Sequence, residues 1–242
     1  MWLKLKIWIL SAQGGSALGG KIFAHVSTEL VKKTAEYAKK KLAGEPTGHD
    51  WYHVQRVWKM SKRLQAEEGG DSQLIELAAL LHDLGDNNLY EFDDQKGFFV
   101  LHGMMDVLDI EEELQEKIIK IVDELRYKGD GTKPASTLEG RIVQDADWLE
   151  SLGAIGVARI FATGGRIKRM LHDPEIQARS KFTVKDYKYK KTDGTSLNYF
   201  YEKSFRLTKI MNTKTAKHIA EKRAKYLENF IEEFLSEWKC ER

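Results

Sequence analysis

What the chain lacks closes several protein classes to it. A single cysteine, Cys240, among 242 residues allows no disulfide framework and points to a reducing, cytoplasmic setting. Three prolines, with no evenly spaced β-branched runs, disfavour a sheet protein and favour helices. A net charge of +2 is too small for a nucleic-acid-binding surface, so no nucleic acid is expected as a partner. No apolar run approaches the roughly 20 residues a membrane-crossing helix needs, and no membrane partner is expected either. The opening stretch Met1–Leu10 mixes lysines with apolar residues, but its uninterrupted apolar part is only Ile7–Leu10. A secretory leader needs about 7–15 such residues. Residues 1–24 are therefore read as a flexible N-terminal extension.

The rest of the chain has the makings of a core. Hydrophobic content of 42% beside 31% charged residues is ordinary for a soluble globular protein, and the length suits one or two domains. Helical periodicity runs over residues 28–42, 50–68, 97–108, 111–127, 136–152 and 197–211, with a long helix at 213–238. Gly69-Gly70 separates the 50–68 helix from another that Asp71 or Ser72 can cap. Residues 87–96 read as a surface loop, and 186–195 as a polar excursion or lid. The whole of 25–238 is thus expected to be a single all-α domain.

One stretch organises this pattern. Leu77-Ala78-Ala79-Leu80-Leu81 is wholly apolar and runs straight into His82-Asp83, with Asp86 three residues later. A buried helix that ends in an imidazole and two carboxylates needs something to compensate them. A cation does so, since nitrogen and oxygen donors together suit Zn, Mn or Fe class ions; a capped, solvated helix end is the plainer alternative. His53 lies one turn into the preceding helix, and antiparallel packing of two helices joined by a short turn brings it to His82-Asp83. A second candidate sits at Gln144-Asp145-Ala146-Asp147. Asp145 and Asp147 are about 200° apart around a helix, so at most one can be a direct ligand.

Taken together, His53, His82, Asp83 and one of those aspartates resemble the ligand set of the HD-domain metal-dependent phosphohydrolases. The motif Gly48-His49-Asp50-Trp51-Tyr52-His53 resembles the first of that family, Leu80-Leu81-His82-Asp83 the second, and Gln144-Asp145-Ala146-Asp147-Trp148-Leu149-Glu150 the last. Trp148 stands where arginine is common. The segments Ile155–Phe161 with Gly164-Gly165, Tyr199-Phe200-Tyr201-Glu202-Lys203 and Met211–Ala216 are similar to a branch that includes small bacterial nucleotide pyrophosphohydrolases.

The resemblance implies a helical HD domain with His53, His82, Asp83 and Asp147 as ligands of one divalent transition metal. Mn²⁺ ranks first, Fe, Ni, Co and Zn follow, and Mg²⁺ ranks below them. It implies Asp86 as the base that handles the attacking water, against a plain helix-end carboxylate. Arg56, three residues after His53, is expected to contact substrate phosphate, as is Lys203, for which a structural ion pair is the alternative. His49, Asp50 and Asp145 are expected to orient the ligands, with Asp50 equally suited to capping the helix. His102 is the one candidate for a second ion. Arg166-Ile167-Lys168-Arg169 could meet a polyphosphate or simply be solvated, and His172-Asp173 reads as a turn. The implied reaction is hydrolysis of (deoxy)nucleoside triphosphates, as small-molecule substrates, to monophosphate and pyrophosphate. A 5′-nucleotidase-like phosphomonoesterase and a non-catalytic nucleotide-binding regulator stay open, as does a homodimer.

Overall fold

A computed structural model describes residues 16–44, 48–85, 94–189 and 192–241. Among the described residues there is no strand, and the all-α expectation holds. In chain order the helices are α1 (Ser16–Lys41), α2 (Trp51–Glu68), α3 (Ser72–Leu81), α4 (Asp94–Val107), α5 (Glu112–Glu124) and α6 (Leu138–Leu149). Then come α7 (Gly153–Arg166), α8 (Val184–Tyr189), α9 (Ser196–Tyr199), α10 (Phe205–Ile210) and α11 (Lys214–Trp238). A 3-10 turn, His82–Gly85, follows α3, and a π-turn, Phe200–Ser204, lies between α9 and α10.

The caps set the helix ends. Asp50 accepts a hydrogen bond from His53 N at 2.9 Å and starts α2. Gly69, at φ 85°, ends it and donates its N–H to Gln65 O. Asp71 caps α3 through Leu74 N, Thr137 caps α6 through Gly140 N, and Thr213 caps α11 through Ala216 N. Side-chain oxygens at these positions satisfy N–H groups that the helix itself leaves unpaired.

α3 is buried on all sides. Leu74, Ile75 and every residue from Leu77 to Leu81 belong to the core, which is why this run has no polar stripe. Around it stand α1, α2, α5 and α6. This central helix carries the His82-Asp83 pair to the edge of the core.

Two expectations are corrected. The first helix begins at Ser16 rather than at residue 28. Gly19-Gly20 weakens the local helical signal, yet propagating an existing helix adds a hydrogen bond for each residue fixed. The 197–211 helix is interrupted by the π-turn, in which Phe205 N–H reaches back to Phe200 O. Beyond α6 the buried stripe is not continued by Ile155. Gly153, at φ 68°, opens a new helix and resets the register, leaving Ile155 exposed.

Candidate metal centre

α2 and α3 lie side by side, and α6 packs on both. The start of α2 therefore meets the end of α3 and one turn of α6. His53, fully buried, places Nε2 3.3 Å from Asp83 Oδ2 and 3.4 Å from Asp147 Oδ1. His82 Nε2 lies 3.3 Å from Asp83 Oδ1, 3.9 Å from Asp147 Oδ1 and 3.3 Å from His53 Nε2. The four side chains drawn from three helices converge on one point.

The far nitrogens of both rings decide what that point can hold. His82 Nδ1 sits 2.8 Å from the carbonyl oxygen of Ala79, which only accepts, so the ring hydrogen belongs on Nδ1. His53 Nδ1 is 3.3 Å from the Glu150 carboxylate and is protonated for the same reason. In the neutral rings both Nε2 atoms then present lone pairs, 3.3 Å apart and beside two carboxylates. Four acceptors facing one another without a hydrogen between them repel unless a cation sits among them. Donors about 2.1 Å from a common ion lie roughly 3.0–3.4 Å apart when they are neighbours in octahedral or tetrahedral geometry. Four of the five spacings given above match, the His82–Asp147 one at 3.9 Å being wider, so the donor set fits a divalent ion.

Electrostatics support the same arrangement. Positive charge at this point is what the carboxylates require: burial alone would raise the Asp83 carboxyl, but protonated His82, His53 and His49, standing where a cation would otherwise sit, outweigh it and hold Asp83 well below the usual range. Asp147 is likewise pushed up by burial and, where His53 and His82 are protonated beside it, more strongly down by a hydrogen bond from His53 and the charge of His82. His49 approaches from the turn before α2, with Nδ1 3.3 Å from Asp83 Oδ2. Gly48, at φ 82°, makes that turn possible: a Cβ there would lie 2.9 Å from the Arg159 side chain. Arg159 Nε donates to Gly48 O and Arg159 Nη1 to Glu150 O, tying the turn to the end of α6.

Glu150 is a residue that motif reading passed over. It is buried, and its Oε2 takes both His53 Nδ1 and, at 2.7 Å, Arg56 Nε. Burial raises its carboxyl, while the His53 bond and the Arg56 charge lower it further, so it stays ionised. Its position one turn after Asp147 was the available signal, since α6 then shows both acids to His53. Glu150→Ala is expected to weaken metal binding by roughly 10–100-fold, the usual effect of removing a ligand's outer partner. Chelator competition would measure it, and Glu150→Gln, which keeps an acceptor oxygen, should recover part of the loss.

Other expected site residues are placed differently. Arg56 lies behind His53, on the Nδ1 side, with Nε on Glu150 and its side chain about one-third exposed. Asp50 acts as the α2 cap. Asp145 does not approach the cluster: it is fully buried and accepts hydrogen bonds from Asn212 N, Asn212 Nδ2, Thr213 N and Thr213 Oγ1, all at 2.7–2.8 Å. The 200° offset from Asp147 sends it to the start of α11. Trp148 is a core side chain that donates Nε1–H to Leu125 O, which accounts for an indole at that position. His102 bonds Gln115 Oε1, and Gln115 in turn holds Asp106 and Ile110 O between α4 and α5. His172-Asp173 forms a turn, with Asp173 Oδ1 accepting from Glu175 N. Lys203 lies in the π-turn, its Nζ 5.9 Å from the ring centres of Tyr127 and Tyr199. Asp86 falls outside the described residues.

Comparison with known proteins agrees with this geometry. The HD domain model matches residues 50–152, the span that holds all four donors. A crystal structure from Lactobacillus plantarum is 33% identical, covers 88% of this chain and 98% of its own, and superposes with a TM-score of 0.78. An HD-superfamily hydrolase from Bacillus thuringiensis is 39% identical over 88% and 98% of the two chains, with a TM-score of 0.66. The uncharacterised YpgQ of Bacillus subtilis is 31% identical over 200 residues, 78% of this chain and 84% of its own. Its crystal structure in complex with ADP covers 84% of this chain and 96% of its own, at 27% identity and a TM-score of 0.63. By its four converging donors and by these likenesses, the chain belongs to the HD superfamily of metal-dependent phosphohydrolases.

Proposed function

We propose that this phosphohydrolase cleaves (deoxy)nucleoside triphosphates to monophosphate and pyrophosphate. The observation that carries the reading is the one-sided opening of the donor cluster. His53, His82 and Asp83 are buried, whereas the side chains of Asp147 and His49 are 29% and 40% exposed. Substrate phosphate therefore approaches past Asp147 and His49. The similar YpgQ was crystallised with ADP, which supports a nucleotide as the phosphate donor.

A divalent ion held by His53, His82, Asp83 and Asp147 would neutralise phosphoryl charge and lower the pKa of a water molecule. The rest falls to the chain. Ala79 O and Glu150 hold the two imidazoles with their lone pairs turned inward. Asp86, placed by resemblance one turn beyond Asp83, takes the proton of the attacking water. Arg56 in this reading meets phosphate through the guanidinium nitrogens that Glu150 does not hold, and Lys203 does so from the π-turn.

A nucleotide panel with Mn²⁺ tests the proposal. Equal release of monophosphate and pyrophosphate is the expected result. Orthophosphate alone would assign a phosphomonoesterase, and binding with no turnover would assign a regulator. Asp86→Asn should lower turnover at least 100-fold while metal content stays unchanged; full activity in that variant would remove Asp86 from the mechanism.

A further inference from the structure

Three arginines from three different helices meet at the C-terminal end of α6, on Leu149 and its cap Glu150. Arg56, from α2, donates Nε to the Glu150 carboxylate at 2.7 Å. Arg159, from α7, donates Nη1 to Glu150 O at 3.3 Å and Nε to Gly48 O at 2.8 Å. Arg223, from α11, donates Nη1 to Leu149 O at 2.6 Å. All three are partly buried. Two of the stems cross left-handed glycines: the Arg159 stem lies over Gly48, and a Cβ on Gly153 would stand 3.2 Å from Arg223 Cγ. Glycine takes those turns and leaves room for the stems. Arg159 and Arg223 both lie beyond residues 50–152, the span of the HD domain match.

These bonds use a minority of the guanidinium donors. Both Nη groups of Arg56, Nη2 of Arg159, and Nε and Nη2 of Arg223 are not spent on the end of α6. Charge is out of balance too. Among the described residues, Glu150 is the one carboxylate within ion-pair distance of any of the three, and it pairs with Arg56. The dipole at the end of α6 returns only about half a charge, so the cluster stays net positive. Arg63, exposed and two turns beyond Arg56 on the same face of α2, adds a fourth guanidinium. Burial lowers the Arg223 guanidinium below its usual range; Glu150 resists, while the charges of Arg63 and Arg56 push the same way as burial. The cluster adjoins the metal donors. Glu150 Oε2 takes Arg56 on one side and His53 Nδ1, at 3.3 Å, on the other. The Gly48 carbonyl held by Arg159 belongs to the turn that carries His49 to the opening.

We propose that Arg56, Arg159 and Arg223 form a phosphate-binding site at the end of α6, beside the metal donors and separate from them. A tetrahedral oxyanion supplies the negative charge that the cluster lacks, and guanidinium forks match its oxygens. The nearest source is the part of a polyphosphate that extends past the phosphate at the metal. That source rests on the nucleotide reading above, whereas the site itself does not.

The test uses the full chain, stripped of metal with EDTA and dialysed, with calorimetric titration of pyrophosphate at constant ionic strength. Wild type should bind at one site per chain, and Arg223→Gln should weaken binding at least about tenfold, the loss of one charge-assisted pair. Lys222→Gln removes the same charge from the neighbouring exposed position of α11 and should bind as wild type does. Absence of binding in wild type, wild-type affinity in Arg223→Gln, or an equal loss in Lys222→Gln overturns the proposal. Pyrophosphate held by the metal-free histidines would survive Arg223→Gln and so counts against the site. Should Arg223→Gln fail to fold, Arg56→Lys decides: it keeps the charge beside Glu150 but loses the fork, so it should bind more weakly, and unchanged affinity refutes the site. Displacement by a nucleoside triphosphate but not by the nucleoside identifies the polyphosphate tail as the occupant, and no displacement identifies free phosphate. Because neither metal nor turnover enters, failure of the nucleotide panel leaves this result standing, and the converse holds.

Discussion

Asp83→Ala is expected to abolish both metal binding and turnover. One carboxylate holds the cluster together: Oδ1 faces His82 Nε2, while Oδ2 faces His53 Nε2 and His49 Nδ1, each at 3.3 Å. Removing it leaves two imidazole lone pairs and Asp147, with half the negative charge gone. The loss should therefore exceed the roughly 10–100-fold that follows removal of an outer partner. Metal analysis should fall from about one equivalent per chain to none, with the helical circular-dichroism spectrum retained. His82→Ala should behave alike. A variant that kept its full metal content would refute the four-donor assignment.

Asp145→Ala should do the opposite, keeping metal and losing stability. Its carboxylate receives four hydrogen bonds at the junction of Asn212, Thr213 and α11, all within the folded core. Alanine strands those donors, at a cost of about 3–5 kcal/mol, which for a chain of this size lowers Tm by roughly 10 °C. Unchanged metal stoichiometry would separate this role from that of Asp147, and a lost metal site would overturn it. The same helix start has a second acid with the opposite response to pH. Burial holds the Asp145 carboxyl above the usual range, outweighing its four donors. Its contribution is fully present below its unfolded pKa and declines as pH rises through the folded value. Glu68, bonded by Thr215 N at 2.8 Å, is lowered by that bond, so its contribution is present above the unfolded value and lost as pH falls.

Much of the centre was legible because it rests on short-range rules. The apolar run of α3, the Asp50 and Asp71 caps and the glycine pair between α2 and α3 are local signals, and antiparallel packing then joins His53 to His82-Asp83. The angle between Asp145 and Asp147 is likewise a property of one helix. What escaped is long-range. Glu150 meets His53 and Arg56 across more than 90 positions of sequence, and its one local cue, a place one turn after Asp147, names neither partner. The destination of Asp145 depends on where α11 begins. A basic run ordinarily predicts solvent, and only the left-handed turn at Lys168 turns Arg169 inward.

The π-turn at Phe200–Ser204 bears on which insertions and deletions this chain can accept. Such a turn amounts to an α-helix with one residue added. The extra residue is taken up inside the wider turn, so losing it would restore ordinary helix and leave what lies beyond close to its present orientation relative to α9. Asn212 and Thr213 would keep their bonds to Asp145. This segment is therefore one of the few inside a helix where descendants of this protein can lose a single position without turning the elements beyond it.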